Sequence, residues 1–134
     1  MKILIVDGQG GRIGALIVRR LKEDYPELKV VAIGTNSIAT SAMIKAGADL
    51  GATGENPVVR NAVEADIIVG PIGIITAHAI MGEVTPKMAE AVGGSHAHKV
   101  LIPITNCNIT VAGTSNMPLS GYINEAVKEV GKLL

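Results

Sequence analysis

Nine residues decide the fold of this 134-residue chain: Val6-Asp7-Gly8-Gln9-Gly10-Gly11-Arg12-Ile13-Gly14. They lie between an apolar strand pattern at residues 3–6 and an apolar helical pattern that begins at Ile13. Such a loop needs glycines where the backbone turns sharply and must approach a pyrophosphate closely. The following helix presents unpaired N–H groups and a partial positive charge. The stretch therefore predicts a nucleotide-phosphate loop, but it specifies no reaction.

Strand and helix patterns alternate along the rest of the chain. Hydrophobic spacing and turn residues predict six strands, at residues 2–7, 28–33, 48–53, 66–69, 100–104 and 109–112. Caps and helical spacing predict helices at residues 12–24, 37–46, 57–65, 86–92 and 118–134. Within residues 70–84, positions 76–81 fit a helical turn, whereas Gly73 and Gly82 favour an irregular segment. The alternation predicts one α/β domain over residues 1–134, three-layered and Rossmann-like, with a mainly parallel sheet of about six strands.

Composition narrows the range of partners and environments. The chain has no Phe or Trp and only two Tyr, so it lacks stacking platforms for nucleic-acid bases. Twelve basic residues balance twelve acidic ones, so the chain has no net positive charge that would attract nucleic acid or an anionic membrane. No apolar run reaches the roughly 18 to 20 residues of a membrane span, and a signal-peptide pattern is absent. With Cys107 as the single cysteine, the chain cannot form an internal disulfide, so we expect a cytoplasmic protein. We expect a small-molecule nucleotide as its partner.

The glycine loop resembles that of two reductase families. Gly8, Gly11 and Gly14 have the spacing of atypical short-chain dehydrogenase/reductases, and residues 10–14 also resemble dihydrodipicolinate reductases. The resemblance implies that a cofactor diphosphate lies against four residues of the loop, Gly8, Gly11, Arg12 and Ile13. NAD or NADP is the cofactor expected. The candidate cofactor-binding residues are Gly8, Gln9, Gly10, Gly11, Arg12, Ile13, Thr35, Asn36 and Pro71.

The chain also departs from those reductases. Asp7 stands where they have a small or hydroxyl residue, so its carboxylate either repels a diphosphate or turns away to cap the amides of the loop. Residues 34–36, at the end of the second strand, contain no acid for the ribose hydroxyls. Thr35 or Asn36 can bind a ribose without charge, and Arg12 is the cation available to a 2′-phosphate. The choice between NAD and NADP stays open, and the missing Tyr-x-x-x-Lys pair means that reductase chemistry is not implied.

Taken whole, the chain resembles a family of small bacterial Rossmann-like proteins of about this length. The signatures are the loop at residues 8–14, Gly-Gly-Ser-His-Ala-His-Lys at residues 93–99 and Asn-Cys-Asn at residues 106–108. This resemblance implies a fold without implying an activity.

Three further residue groups are candidates for chemistry. His96 and His98 fall on one face of an extended segment, half of a possible zinc or nickel site. Cys107 and His78 are the remaining candidate ligands, but nothing in the sequence brings them within coordination distance, so we favour a polar helix-to-strand turn and no metal. His78 is a candidate for proton transfer and Cys107 for nucleophilic attack. The alternatives are a packed histidine and a small buried cysteine. If the sheet is doubly wound, the loops after residues 69 and 104 meet beside the glycine loop.

Three hypotheses of function follow. The first is a nucleotide-binding sensor or accessory subunit, most plausibly for NAD(P). The second is a small oligomeric enzyme whose site joins the glycine loop to residues 70–78 and 105–108. The third is a structural or interaction protein whose glycines only make a tight turn and close helix packing. We expect a homo-oligomer, with apolar residues 72–81 either at the subunit contact or inside the protomer.

Overall fold

The computed structural model describes residues 1–104 and 108–134, in which five strands and five α-helices alternate. The strands are β1 (Ile3–Asp7), β2 (Val30–Gly34), β3 (Leu50–Thr53), β4 (Ile67–Pro71) and β5 (His98–Ile102). The helices are α1 (Arg12–Asp24), α2 (Ser37–Lys45), α3 (Glu55–Glu64), α4 (Pro86–Gly93) and α5 (Leu119–Leu133). A short 3-10 helix at Ile72–Ile75 follows β4.

All strand pairs are parallel, in the order β3-β2-β1-β4-β5. The chain moves outward from β1 through β2 to β3, and then returns to β4 on the other side of β1. The strand order therefore reverses between β1 and β4, where a doubly wound sheet opens a crevice at its carboxyl edge. Asp7 ends β1 and Pro71 ends β4, so the glycine loop leaves the sheet at this reversal.

Alternate residues of the strands fill two separate cores, one on each face of the sheet. On β1, Ile3 and Ile5 pack with α1 and α5, whereas Leu4 and Val6 pack with α3 and α4. All four side chains are buried. Burial on both faces requires a nearly continuous apolar strand, which is what residues 3–6 provide. The prediction of a three-layer, parallel α/β fold is confirmed.

The sheet has five strands instead of about six. Residues 109–112 were predicted as a strand because Ile, Thr and Val favour extended structure. In the structure they lie outside the sheet, and the backbone and the hydroxyl of Thr114 both bond to the carbonyl of Val111. This local turn replaces the ladder that a sixth strand would need.

Residues 72–81 divide between the core and the surface. Ile74 and Ala79 are buried in the core cluster on the α3 and α4 side, whereas the side chain of Met81 is 90% exposed. The segment therefore contributes to the core and also leaves Ile75 and Met81 exposed, so both alternatives given by the sequence stay open. Homo-oligomer formation stays a prediction. None of the helices in the described ranges is long and apolar enough to cross a membrane.

Candidate functional site

The glycine loop is a tight turn that brings helix α1 close to α2. Gly11, the N-cap of α1, has φ 71°, a left-handed conformation that favours glycine. A Cβ at this position would lie 2.8 Å from both the Cα and the carbonyl oxygen of Ala39, in α2. Backbone conformation and close approach therefore both require glycine at residue 11.

Asp7 lies beneath the loop and ties it together. Its Oδ1 accepts a hydrogen bond from the amide of Gly8 at 2.8 Å, and its Oδ2 accepts one from the amide of Gly14 at 2.7 Å. The side chain is buried, and burial raises the pKa of Asp7 more than these two hydrogen bonds lower it. The charge of Glu83 adds to the rise. Of the two alternatives given by the sequence, Asp7 thus caps the amides of the loop.

The upper side of the loop keeps amides available for a ligand. The amides of Gly10, Arg12 and Ile13 donate to no other residue within the described ranges. A Cβ built on Gly10 would meet no atom within 4 Å, so the space beside this residue is open. Unpaired backbone N–H groups at a helix N-terminus are the donor set that an anionic phosphate requires. The residues present therefore fit a nucleotide phosphate.

At the end of β2, three donors converge on one carboxylate oxygen of Glu83. Oε1 of Glu83 accepts from the amide of Gln9 at 2.9 Å, the hydroxyl of Thr35 at 2.6 Å and the side-chain amide of Asn36 at 2.8 Å. Asn36 also donates to the carbonyl of Gln9 at 2.9 Å, and its Oδ1 caps α2 by accepting from the amide of Ala39. The loop after β1, the end of β2 and Glu83 thus form one hydrogen-bonded unit.

The carboxyl group of Glu83 favours the charged form. Partial burial raises its pKa, but the hydrogen bonds from Thr35, Gln9 and Asn36 together outweigh burial and hold the pKa below the ordinary glutamate value. A carboxylate that accepts several hydrogen bonds is stabilised as the anion. Glu83 is therefore negatively charged at neutral pH.

Residues 76–85 form a compact segment that positions Glu83. The amide of His78 donates to the carbonyl of Val84, and the amide of Val84 donates to that of Ala79. Three side-chain-bearing residues in it, His78, Ile80 and Met81, have φ values of 69°, 55° and 55°. Left-handed backbone is costly for a residue such as Ile and is tolerated where surrounding contacts enforce it. These hydrogen bonds and backbone angles give the segment the shape that places Glu83 beside the end of β2.

The structure brings part of the predicted site together. Gln9, Thr35 and Asn36 share the Glu83 carboxylate. Pro71 ends the strand next to β1 at the same sheet edge. Arg12 is one of the residues that line a groove of about 450 Å³ between α1 and α5, whereas Thr35 and Asn36 lie beside α2. The role of Arg12 as a partner for a 2′-phosphate stays a prediction.

The side chains of the other candidates with described positions make no described hydrogen bond to this unit. His78 is exposed on the 76–85 segment, and His96 and His98 are exposed at the start of β5. Asn106 and Cys107 lie outside the described residues. Among the residues with described positions, no three His, Cys, Asp or Glu side chains are grouped as a metal ion would need. Catalytic roles for His78 and Cys107 stay predictions.

Sequence reasoning missed Glu83. The sequence has no acid at the end of β2, and the structure places one there from the loop between β4 and α4, 47 residues beyond Asn36. The one local signal is that residue 83 shortly precedes the helix cap Thr85. That signal locates the start of α4 but says nothing of where the carboxylate points.

The sheet order and the glycine loop at the strand reversal define a Rossmann-like α/β protein. Over residues 2–134 the chain matches the family described as a domain of unknown function, DUF3842. The protein belongs to this family, which fits the resemblance to small Rossmann-like proteins. No curated protein matches the chain.

One similar solved structure is a dodecameric FMN-dependent Ubix-like decarboxylase from Escherichia coli O157:H7. The two chains are 14% identical, with a TM-score of 0.45, and the match covers 99% of this chain and 94% of the other.

Proposed function

We propose that this protein binds a nucleotide of the NAD(P) type and acts as a sensor or accessory subunit. The observation that carries the proposal is the set of loop amides at Gly10, Arg12 and Ile13, which have no hydrogen-bond partner in the described part of the chain, together with the open space beside Gly10. They lie at the strand reversal, where doubly wound folds bind their ligands.

The diphosphate is the group that these amides would hold. Its negative charge would be stabilised by the N–H groups and by the positive end of the 13-residue helix α1. Asp7 does not compete for this position, because its oxygens point to Gly8 and Gly14 from inside the turn.

Calorimetric titration with NAD, NADP, ATP, ADP and FMN tests the proposal, with thermal shift as a second readout. The first four nucleotides carry a chain of at least two phosphates, whereas FMN carries one phosphate. We expect heat of binding and a higher melting temperature with at least one of these nucleotides. No heat and no shift with all five would contradict the proposal.

Two substitutions at Gly10 separate binding at the loop from binding elsewhere. Gly10→Asp places a negative charge beside the proposed phosphate position, and we expect affinity to fall at least about tenfold. Gly10→Ala adds a methyl group without a charge at the same place, so we expect it to weaken binding less than Gly10→Asp does. Equal affinity for both variants would place the ligand away from the loop.

A further inference from the structure

We propose that Glu83 is the ribose-binding acid of this protein and selects an unphosphorylated ribose, as in NAD, over a 2′-phosphorylated one, as in NADP. This inference rests on the proposed function. It assigns the role of an acid missing from the end of β2 to a residue from the loop between β4 and α4.

The position of the carboxylate is the first argument. In dinucleotide-binding folds, an acid at the end of the second strand accepts hydrogen bonds from the ribose hydroxyls. Here that strand continues into the uncharged residues Thr35 and Asn36, and both donate to the carboxylate of Glu83. Glu83 therefore supplies a negative charge at the end of β2.

The second argument is the unequal use of the two carboxylate oxygens. Oε1 accepts all three hydrogen bonds, from Gln9, Thr35 and Asn36, whereas Oε2 accepts none from the residues with described positions. The contacts at Oε1 fix the side chain, and Oε2 retains its capacity to accept. One fixed and one available oxygen suit a carboxylate that orients a ligand hydroxyl.

The distribution of charge is the third argument. A 2′-phosphate needs a cation at the end of β2, and the cation of the glycine loop, Arg12, instead lines the groove between α1 and α5. The carboxylate of Glu83 would repel a phosphate placed beside it. Hydroxyl donors are favoured at this position and phosphate groups are disfavoured.

A competing role for Glu83 predicts the opposite effect on affinity. If its carboxylate merely occupied a phosphate position until a ligand displaced it, removing the charge would strengthen the binding of NAD and of NADP equally. If Glu83 binds the ribose, removing the charge weakens NAD binding. It also removes the repulsion between the carboxylate and the 2′-phosphate of NADP, so NADP binding becomes stronger. The sign of the change in NAD affinity therefore distinguishes the two roles.

The experiment measures the dissociation constants of NAD and NADP for the wild type, Glu83→Gln and Glu83→Asp. We expect the wild type to prefer NAD by at least about tenfold and Glu83→Gln to lose most of this preference, through weaker NAD and stronger NADP binding. Glu83→Asp keeps the charge, so it should still reject NADP while binding NAD less tightly. Glu90→Gln is the matched control, since it removes an exposed acid from α4 and should leave both constants unchanged.

An unchanged preference in Glu83→Gln, or equal strengthening of both ligands, would overturn the inference while leaving nucleotide binding intact. Failure of the wild type to bind any of the five nucleotides would overturn the proposed function and this inference together.

The amide spectrum of Glu83→Gln, compared with that of the wild type, shows whether the variant is folded. If it is not, Glu83→Asp and Thr35→Val still test the sign of the change in NAD affinity, and stronger NAD binding in both would overturn the inference. Thr35→Val keeps the charge but removes one of the donors that position it, so NAD should weaken while NADP is still rejected.

Discussion

Asp7 and Gly14 are joined by a hydrogen bond of 2.7 Å, from the amide of Gly14 to Oδ2 of Asp7, which links the end of β1 to the first turn of α1. The carboxylate satisfies a helix amide that would otherwise have no intrahelical partner. With its second bond, to Gly8, it fixes both ends of the glycine loop from the buried side.

Asp7→Asn should destabilise the fold. Asparagine has nearly the same shape but one acceptor oxygen, so its NH₂ group would face one of the two buried amides. A buried donor without a partner costs about 1–3 kcal/mol. Urea denaturation should show a lower free energy of unfolding by this amount. A variant as stable as the wild type would show that the two hydrogen bonds contribute nothing.

The same pair of proteins tests the raised pKa of Asp7. Because burial raises this pKa in the folded state, the folded protein keeps a proton that the unfolded chain has already lost just above the ordinary value of 3.8. The proton-linked part of the contribution of Asp7 to stability is therefore full below that value and is lost as pH rises through the folded-state pKa. The free energy of unfolding of the wild type, minus that of Asp7→Asn, should fall from about pH 4 toward neutral pH. A difference that rises over this range would contradict the assignment.

The pKa of Glu83 is shifted in the opposite direction from that of Asp7, so its effect on stability should have the opposite pH dependence. Its hydrogen bonds lower the folded-state pKa, so its contribution to stability is present above the ordinary glutamate value and is lost as pH falls through the lowered one. The amide resonance of Gln9, which donates to this carboxylate, should report a midpoint below the ordinary value. The transition should be absent in Glu83→Gln.

Gly11→Ala should be far more destabilising than Gly10→Ala. At Gly11 an added methyl group meets the backbone of Ala39 and the φ angle is left-handed, whereas at Gly10 it meets nothing. We expect a loss of about 2–3 kcal/mol for Gly11→Ala and less than about 1 kcal/mol for Gly10→Ala. Equal losses in urea denaturation would show that the tight approach of α1 to α2 is not required.

Met81→Gly should stabilise the protein. The side chain is 90% exposed and packs little, while the backbone adopts φ 55°. Relief of about 1–2 kcal/mol of left-handed strain, less the entropy cost of glycine, leaves a gain of about 0.5–1 kcal/mol. Met81→Ala removes the same side chain but keeps the strain, so it should be close to neutral. Equal stability of the two variants would show that residue 81 carries no strain.

The fold was predictable because its signals are local. The apolar runs at β1 and β4 and the glycine spacing after β1 each follow from neighbouring residues, and the structure has strands at both. The strand predicted at residues 109–112 is not formed. The prediction rested on strand propensity, which does not depend on a pairing partner, and none of the strands in the described ranges pairs with these residues.

The candidate site was only partly predictable. Gln9, Thr35 and Asn36 follow directly from strand ends, so their place at the carboxyl edge could be inferred. Glu83 could not be found, because residues 70–84 lack a regular pattern and the fold of that segment depends on turns with left-handed residues. The charge that is missing after β2 in the sequence is supplied by a distant loop in the structure.

Titration of the isotope-labelled protein with NAD, followed through its amide resonances, tests nucleotide binding at the loop most directly. Binding at the proposed position predicts saturable shifts at the amides of Gly10, Arg12 and Ile13 and at the side-chain amide of Asn36. No shift with NAD, NADP, ATP, ADP or FMN, or shifts confined to the groove between α1 and α5, would contradict it.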